Sequence, residues 1–248
     1  CIRDRYEIVC NRFGIIVNDW IAKDELQYIQ MNTHESMRVE ENFRHYIYKD
    51  KYDKAGDTGS YFWQDLWAAK KIIRDHPKQH YDIGSRVDGF IAHLLAADID
   101  VTLIDIRPLD LKLDGLTFVC DDATEMKHIP DESIESISAL CSLEHFGLGR
   151  YGDPINPDAC YQCFDSIQKK VKSGGNIYLS VPIGLEHLEF NAQRIFFART
   201  IVELFDSCIL KEFSCANRVF EKDVPLNKYN EDINYGGIRF GLFWFEKK

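Results

Sequence analysis

From His80 onward the chain alternates short apolar runs with amphipathic segments, the pattern of a parallel sheet covered by helices. The runs predict strands near 79–84, 101–105, 116–120, 134–140, 175–181, 207–216 and 238–246. Helices are expected between them at 88–97, 157–172 and 194–205. The stretch from Glu221 to Tyr235 is polar, rich in Asn, Asp and Lys, and has no helical stripe. A long loop entering a final antiparallel pair fits it better than another crossover helix. The expected fold class is therefore α/β, a doubly wound sheet of seven strands.

Residues 1–75 lack this alternation. They carry charged helical patches such as Glu35 to Tyr48, a loop from Asp50 to Ser60, and an aromatic helix from Tyr61 to about Arg74 that Pro77 stops. Aromatics fall on more than one face of that helix, so it must pack against something, and core is favoured over a cap on the site. With 248 residues, 45% of them hydrophobic, one sizeable core suffices. The division expected is a mainly helical extension or cap over 1–75 and an α/β domain over 76–248.

Lys and Arg number 30 against 40 Asp and Glu, a formal charge of −10. That balance repels phosphate backbones and argues against a nucleic-acid partner. No stretch approaches the roughly 18 apolar residues of a membrane span. A cytoplasmic protein is expected, although a chain that begins at Cys1 leaves a removed leader or anchor open. The eight cysteines are scattered, and the Cys160 and Cys163 pair lies in an expected helix without a second pair at zinc spacing, so reduced thiols and no metal are expected.

The first strand ends in Tyr81-Asp82-Ile83-Gly84-Ser85-Arg86, and a helix starts soon after. A glycine there lets backbone approach a ligand at the carboxyl edge of the sheet. About twenty residues on, the second strand ends in Asp105, where a carboxylate can accept from ribose hydroxyls. A hydride-transferring dinucleotide enzyme shares both features.

Five segments in order then resemble the class I S-adenosylmethionine-dependent methyltransferases: Asp82 to Ser85, Leu103 to Asp105, Phe118 to Ala123, Ser142 to His145 and Val171 to Pro182. The resemblance implies a Rossmann-like sheet with its last strand inserted antiparallel, and S-adenosylmethionine as cofactor. It assigns Asp82 and Gly84 to the methionine portion, Asp105 to the ribose, Asp122 to the adenine amino group and Ala123 to an adjacent backbone contact, with Ser85, Arg86, Ile106 and Ser142 completing the cofactor set. Arg86 and Asp88 stand where the family usually has glycine, and Arg86 is either a partner for the cofactor carboxylate or a sign of lost binding. Asp82 to Phe90, Asp105 to Leu109, Glu144 to Pro154 and Val181 to Gly184 also resemble a narrower family of unknown function, DUF268, first described in Caenorhabditis and found in bacterial polysaccharide loci. That likeness implies a glycan-related acceptor.

After the fourth strand, Leu143 to Pro154 combines three glycines with His145, Arg150, Tyr151 and Asp153, and the acceptor is expected there. A sugar hydroxyl must lose a proton on methylation, and His145 is the first candidate base. His187, in a second polar cluster with Glu186, Glu189 and Arg194, is its rival, and Arg150 or Arg194 could hold an acidic acceptor. The function expected is O-methylation of a sugar, glycan or other small acceptor. The alternative is a non-catalytic binding or scaffold module in glycan assembly. The turn Lys172-Ser173-Gly174-Gly175 and the position of Asp122 argue against a nicotinamide enzyme, and the Asn-Pro-Pro-Tyr-type signature of amino methylation is absent.

Overall fold

The computed structural model describes residues 20–56, 58–234 and 237–248, so Cys1 and Cys10 lie outside the described residues. Two compact units are formed, one N-terminal to Thr58 and one spanning Thr58–Lys248. In the first, α1 (Trp20–Met31) buries no residue and is followed by single 3-10 turns at Glu35–Met37, Glu41–Phe43 and Asp50–Tyr52. Glu25 on α1 accepts from Arg44 Nε at 2.8 Å and from Tyr46 Oη at 2.7 Å. The segment Glu35 to Tyr48, expected as helical, thus holds two single 3-10 turns and no α-helix, because it has no apolar stripe to bury and Arg44 and Tyr46 find partners on α1.

The second unit opens with α2 (Ser60–Asp75), the aromatic helix expected as part of the extension. Its buried positions are Gln64, Trp67, Ala68, Ala69 and Ile72, a stripe at helical spacing. His76 ends it in the left-handed region at φ 45°, just before Pro77. The Trp67 indole donates to Glu212 at 2.8 Å, and Tyr178 Oη donates to Asp75 at 3.0 Å, so α2 is tied to the sheet at both ends of its buried face.

The sheet strands are β1 (His80–Ile83), β2 (Val101–Asp105), β3 (Leu116–Cys120), β4 (Ile134–Leu140), β5 (Val171–Pro182), β8 (Cys208–Ala216), β9 (Phe220–Glu221) and β10 (Phe240–Lys247). Their order is β3-β2-β1-β4-β5-β10-β8-β9. The first five run parallel, and β10 is inserted antiparallel between β5 and β8. The seven expected strands are all present, and the added eighth, β9, is a two-residue edge pairing with β8.

Helices cover both faces, as a parallel sheet requires. α2 and α3 (Gly89–Leu95) bury Trp67, Ile72, Phe90 and Leu94 against one face with Val101, Tyr178 and Leu242. α4 (Ala159–Lys170) and α5 (Ala198–Leu204) bury Phe164, Ile167 and Ile201 against the other with Ile137, Ile177 and Phe243. Cys160 and Cys163 belong to that second core. α5 is shorter than the 194–205 expected because Gln193–Ile195 forms β7, which pairs antiparallel with β6 (His187–Glu189).

Candidate active site

The carboxyl ends of β1, β2 and β4 meet at one edge, and small residues let them close up. Gly84 follows β1 at φ +75°, and a Cβ there would lie 2.9 Å from that of Ser142. Ser142, just past β4, donates its hydroxyl to the Ile83 carbonyl at 2.8 Å, pinning the two strand ends together. Asp82 faces inward: its Oδ1 takes the Ser138 hydroxyl and its Oδ2 takes the Ser85 amide at 3.2 Å. Burial pushes its pKa up to about 6. At the end of β2, Asp105 accepts from the Arg107 amide at 2.8 Å and from Arg107 Nε at 2.9 Å. Asp122 accepts from the Thr124 amide at 2.9 Å, while Ala123 is buried behind it.

The loop after β4 is held by its own residues. Gly147 has φ +75°, and a Cβ there would fall 1.7 Å from the Asn156 carbonyl oxygen, so no side chain fits. Asp153 receives the amides of Gly147 at 2.7 Å, Gly149 at 3.3 Å and Tyr151 at 3.2 Å. Its carboxylate therefore folds the loop. Tyr151 is flanked by the guanidinium groups of Arg107, 4.7 Å from the ring centroid, and Arg150, at 5.1 Å, with the His145 ring 5.5 Å away.

His145 is buried and donates from Nδ1 to the Ala192 carbonyl at 2.6 Å, which leaves Nε2 as the acceptor nitrogen of the neutral ring. Glu144 precedes it, 1% exposed, with Oε1 3.5 Å from that Nε2 and Oε2 lacking a hydrogen-bond partner among the described residues. Burial raises the Glu144 carboxyl to about 8 and lowers the imidazole of His145, so both groups are driven toward their neutral forms.

These elements surround one cavity of about 1250 Å³. Of the residues expected from sequence, Gly84, Ser85, Arg86, Asp105, Ile106, Asp122, Ser142, His145, Arg150 and Asp153 line it. Asp82, Ala123 and His187 do not. His187 stands exposed on β6, with Nδ1 donating to the Leu185 carbonyl at 2.6 Å. Arg194 is buried and, among the described residues, donates to the carbonyls of Glu144, Phe146 and Pro157. The Arg86 side chain is 86% exposed at the rim of the cavity, 3.6 Å from Asp88. The cavity also takes Tyr61, Gln64 and Asp65 from α2, together with Arg107, Cys141 and Glu144. The polar residues of α2 interrupting an aromatic run were the one sequence signal for that group.

Residues 117–217 match the family described as Caenorhabditis protein of unknown function, DUF268. No curated protein matches the chain. Among solved structures, the chain resembles the 1,6-didemethyltoxoflavin-N1-methyltransferase of Burkholderia thailandensis at 18% identity and TM-score 0.51, over 76% of this chain and 84% of that one. The N-methyltransferase NodS of Bradyrhizobium japonicum is similar at 11% identity and TM-score 0.52, over 77% of this chain and 89% of that one.

The fold is that of the class I methyltransferases.

The cyclase SpnF shares it at 13% identity and TM-score 0.51, over 74% of this chain and 81% of that one. The methyltransferase fold thus carries more than one chemistry, and activity has to be argued from the cavity. Among the described residues, no helix is long and apolar enough to cross a membrane, and no group of three His, Cys, Asp or Glu is arranged to hold a metal.

Proposed function

We propose that the chain binds S-adenosylmethionine along the carboxyl edge of its sheet and transfers the methyl group to a hydroxyl, on a sugar, glycan or other small acceptor. The observation that carries this reading is the single cavity joining the Gly84 turn, Asp105 and Asp122 to the loop that bears Glu144, His145 and Arg150. The donor set suits the cofactor: Asp105 for ribose hydroxyls, Asp122 for the adenine amino group, and the side-chain-free turn for the methionine end. The volume exceeds the roughly 300–1,000 Å³ of an ordinary ligand pocket, which leaves room for an acceptor beside the cofactor.

When bound, the cofactor supplies an electrophilic methyl group. The protein's part is alignment, water exclusion and removal of the acceptor proton. His145 suits the last task, since Ala192 fixes its tautomer with Nε2 free to accept. Arg150 forms no ion pair among the described residues and suits an acceptor bearing an acidic group.

One feature favours the second reading, a binding module without turnover: Arg107 forks across both carboxylate oxygens of Asp105, where ribose hydroxyls would bind. Incubation with methyl-labelled S-adenosylmethionine and a panel of neutral and uronic-acid glycans separates the two. Label transferred to a glycan supports the enzyme, and absence of S-adenosylmethionine binding supports the module.

A further inference from the structure

α2 reaches the cavity beside the turn between β1 and α3. Gln64 is buried and takes the Ser180 hydroxyl on its Oε1 at 2.5 Å, and Ser180 Oγ lies 3.2 Å from Cys141 Sγ. The helix is thereby pinned to the carboxyl ends of β4 and β5. Asp65, the next residue, lines the cavity, and a Cβ placed on Gly89 would lie 3.3 Å from its Oδ2. Its Oδ1 accepts from Gln64 Nε2 at 3.2 Å, and the carboxylate forms no ion pair among the described residues. Asp82, to which the family resemblance assigns the methionine end, has both oxygens engaged, by Ser138 within the sheet and by the Ser85 amide in the turn after β1, and does not line the cavity.

Resting on the reading that this cavity takes S-adenosylmethionine, we infer that Asp65 receives the α-ammonium group at the methionine end of the cofactor. Asp105 and Asp122 fix the nucleoside at the ends of β2 and β3, so the methionine end extends past Gly84 toward α2. Of the acids at that end, Asp88 already faces Arg86 at 3.6 Å, whereas Asp65 is half-buried and, with His93 in its neighbourhood, forms no ion pair among the described residues. Burial and the neighbouring Asp88 both raise the Asp65 pKa. An arriving ammonium supplies the missing counter-charge, and a charge-assisted bond in a partly desolvated site is among the stronger polar contacts.

Calorimetric titration of the full chain and Asp65→Asn with S-adenosylhomocysteine and with methylthioadenosine, which lacks the amino-acid tail, tests this. The expected result is S-adenosylhomocysteine affinity lowered roughly tenfold or more with methylthioadenosine affinity unchanged. Asp65→Ala, which removes the carboxylate without adding an amide, is expected to show the same split. Undiminished S-adenosylhomocysteine binding overturns the inference, and so does an equal loss for both ligands, which marks Asp65 as structural support. If the unaltered protein binds neither ligand, the cofactor reading itself falls.

Discussion

His145 Nε2 lies 3.5 Å from Glu144 Oε1 while its Nδ1 donates to the Ala192 carbonyl at 2.6 Å, so backbone fixes the tautomer and a buried acid faces the free nitrogen. Nε2 is then the nitrogen that can serve as base, and it cannot take up a proton without Glu144 feeling the charge. His145→Ala is expected to lower methyl transfer about 100-fold or more and leave S-adenosylhomocysteine affinity unchanged. Because burial lowers the His145 pKa, the acid limb of the pH–rate profile is expected below the ordinary histidine value of 6.5. Normal turnover by the variant would remove His145 as base.

Glu144 also sets a stability signature. Its carboxyl titrates near 4.5 in the unfolded chain and at about 8 when buried, so the folded protein holds a proton that the unfolded chain has released. Its contribution is fully present below pH 4.5 and lost as pH rises through about 8. Glu144→Gln removes this titration. Denaturant unfolding should show the variant gaining on the parent across that window, by an amount on the order of a few kcal/mol at its upper end. A constant difference between the two at all pH values would contradict the burial argument.

Asp105 and Arg107 make opposite predictions. Asp105→Ala removes the acceptor for two ribose hydroxyls and should weaken S-adenosylhomocysteine binding on the order of 100-fold. Arg107→Ala frees the same carboxylate and should bind at least as tightly as the parent. Titration of both variants checks the pair, and loss of binding in Arg107→Ala would show that the guanidinium is part of the site.

Gly147→Ala tests the loop that closes on the acceptor side. With φ +75° and the Asn156 carbonyl 1.7 Å from a Cβ, the loop must reopen. Turnover should fall sharply while cofactor affinity persists, as measured by kinetics and titration on the same preparation.

The sheet was legible in the sequence because its inner strands carry apolar residues that are buried on both faces, Val101, Leu103 and Ile104 of β2 most plainly. The glycine turn and Asp105 were legible because both are bound to strand ends. Asp82 shows what a motif leaves out: it lies within β1, and Ser138 across the sheet and the Ser85 amide in the following turn hold its carboxylate inward. Asp65 was hidden for the converse reason. Aromatics on more than one face made its helix a core element, which Trp67 and Ile72 are, and the helix's place at the carboxyl edge depends on contacts more than a hundred residues away, such as Gln64 to Ser180. Ile72→Ala should cost about 2–5 kcal/mol if α2 belongs to the sheet's core, a loss readable in equilibrium unfolding.

The most direct test of the account is calorimetric titration of the unaltered chain with S-adenosylmethionine and S-adenosylhomocysteine, with NAD as control. Saturable binding of the first two at a single site, with none of NAD, is the result predicted. Absence of binding by both, or binding of NAD in their place, would contradict it.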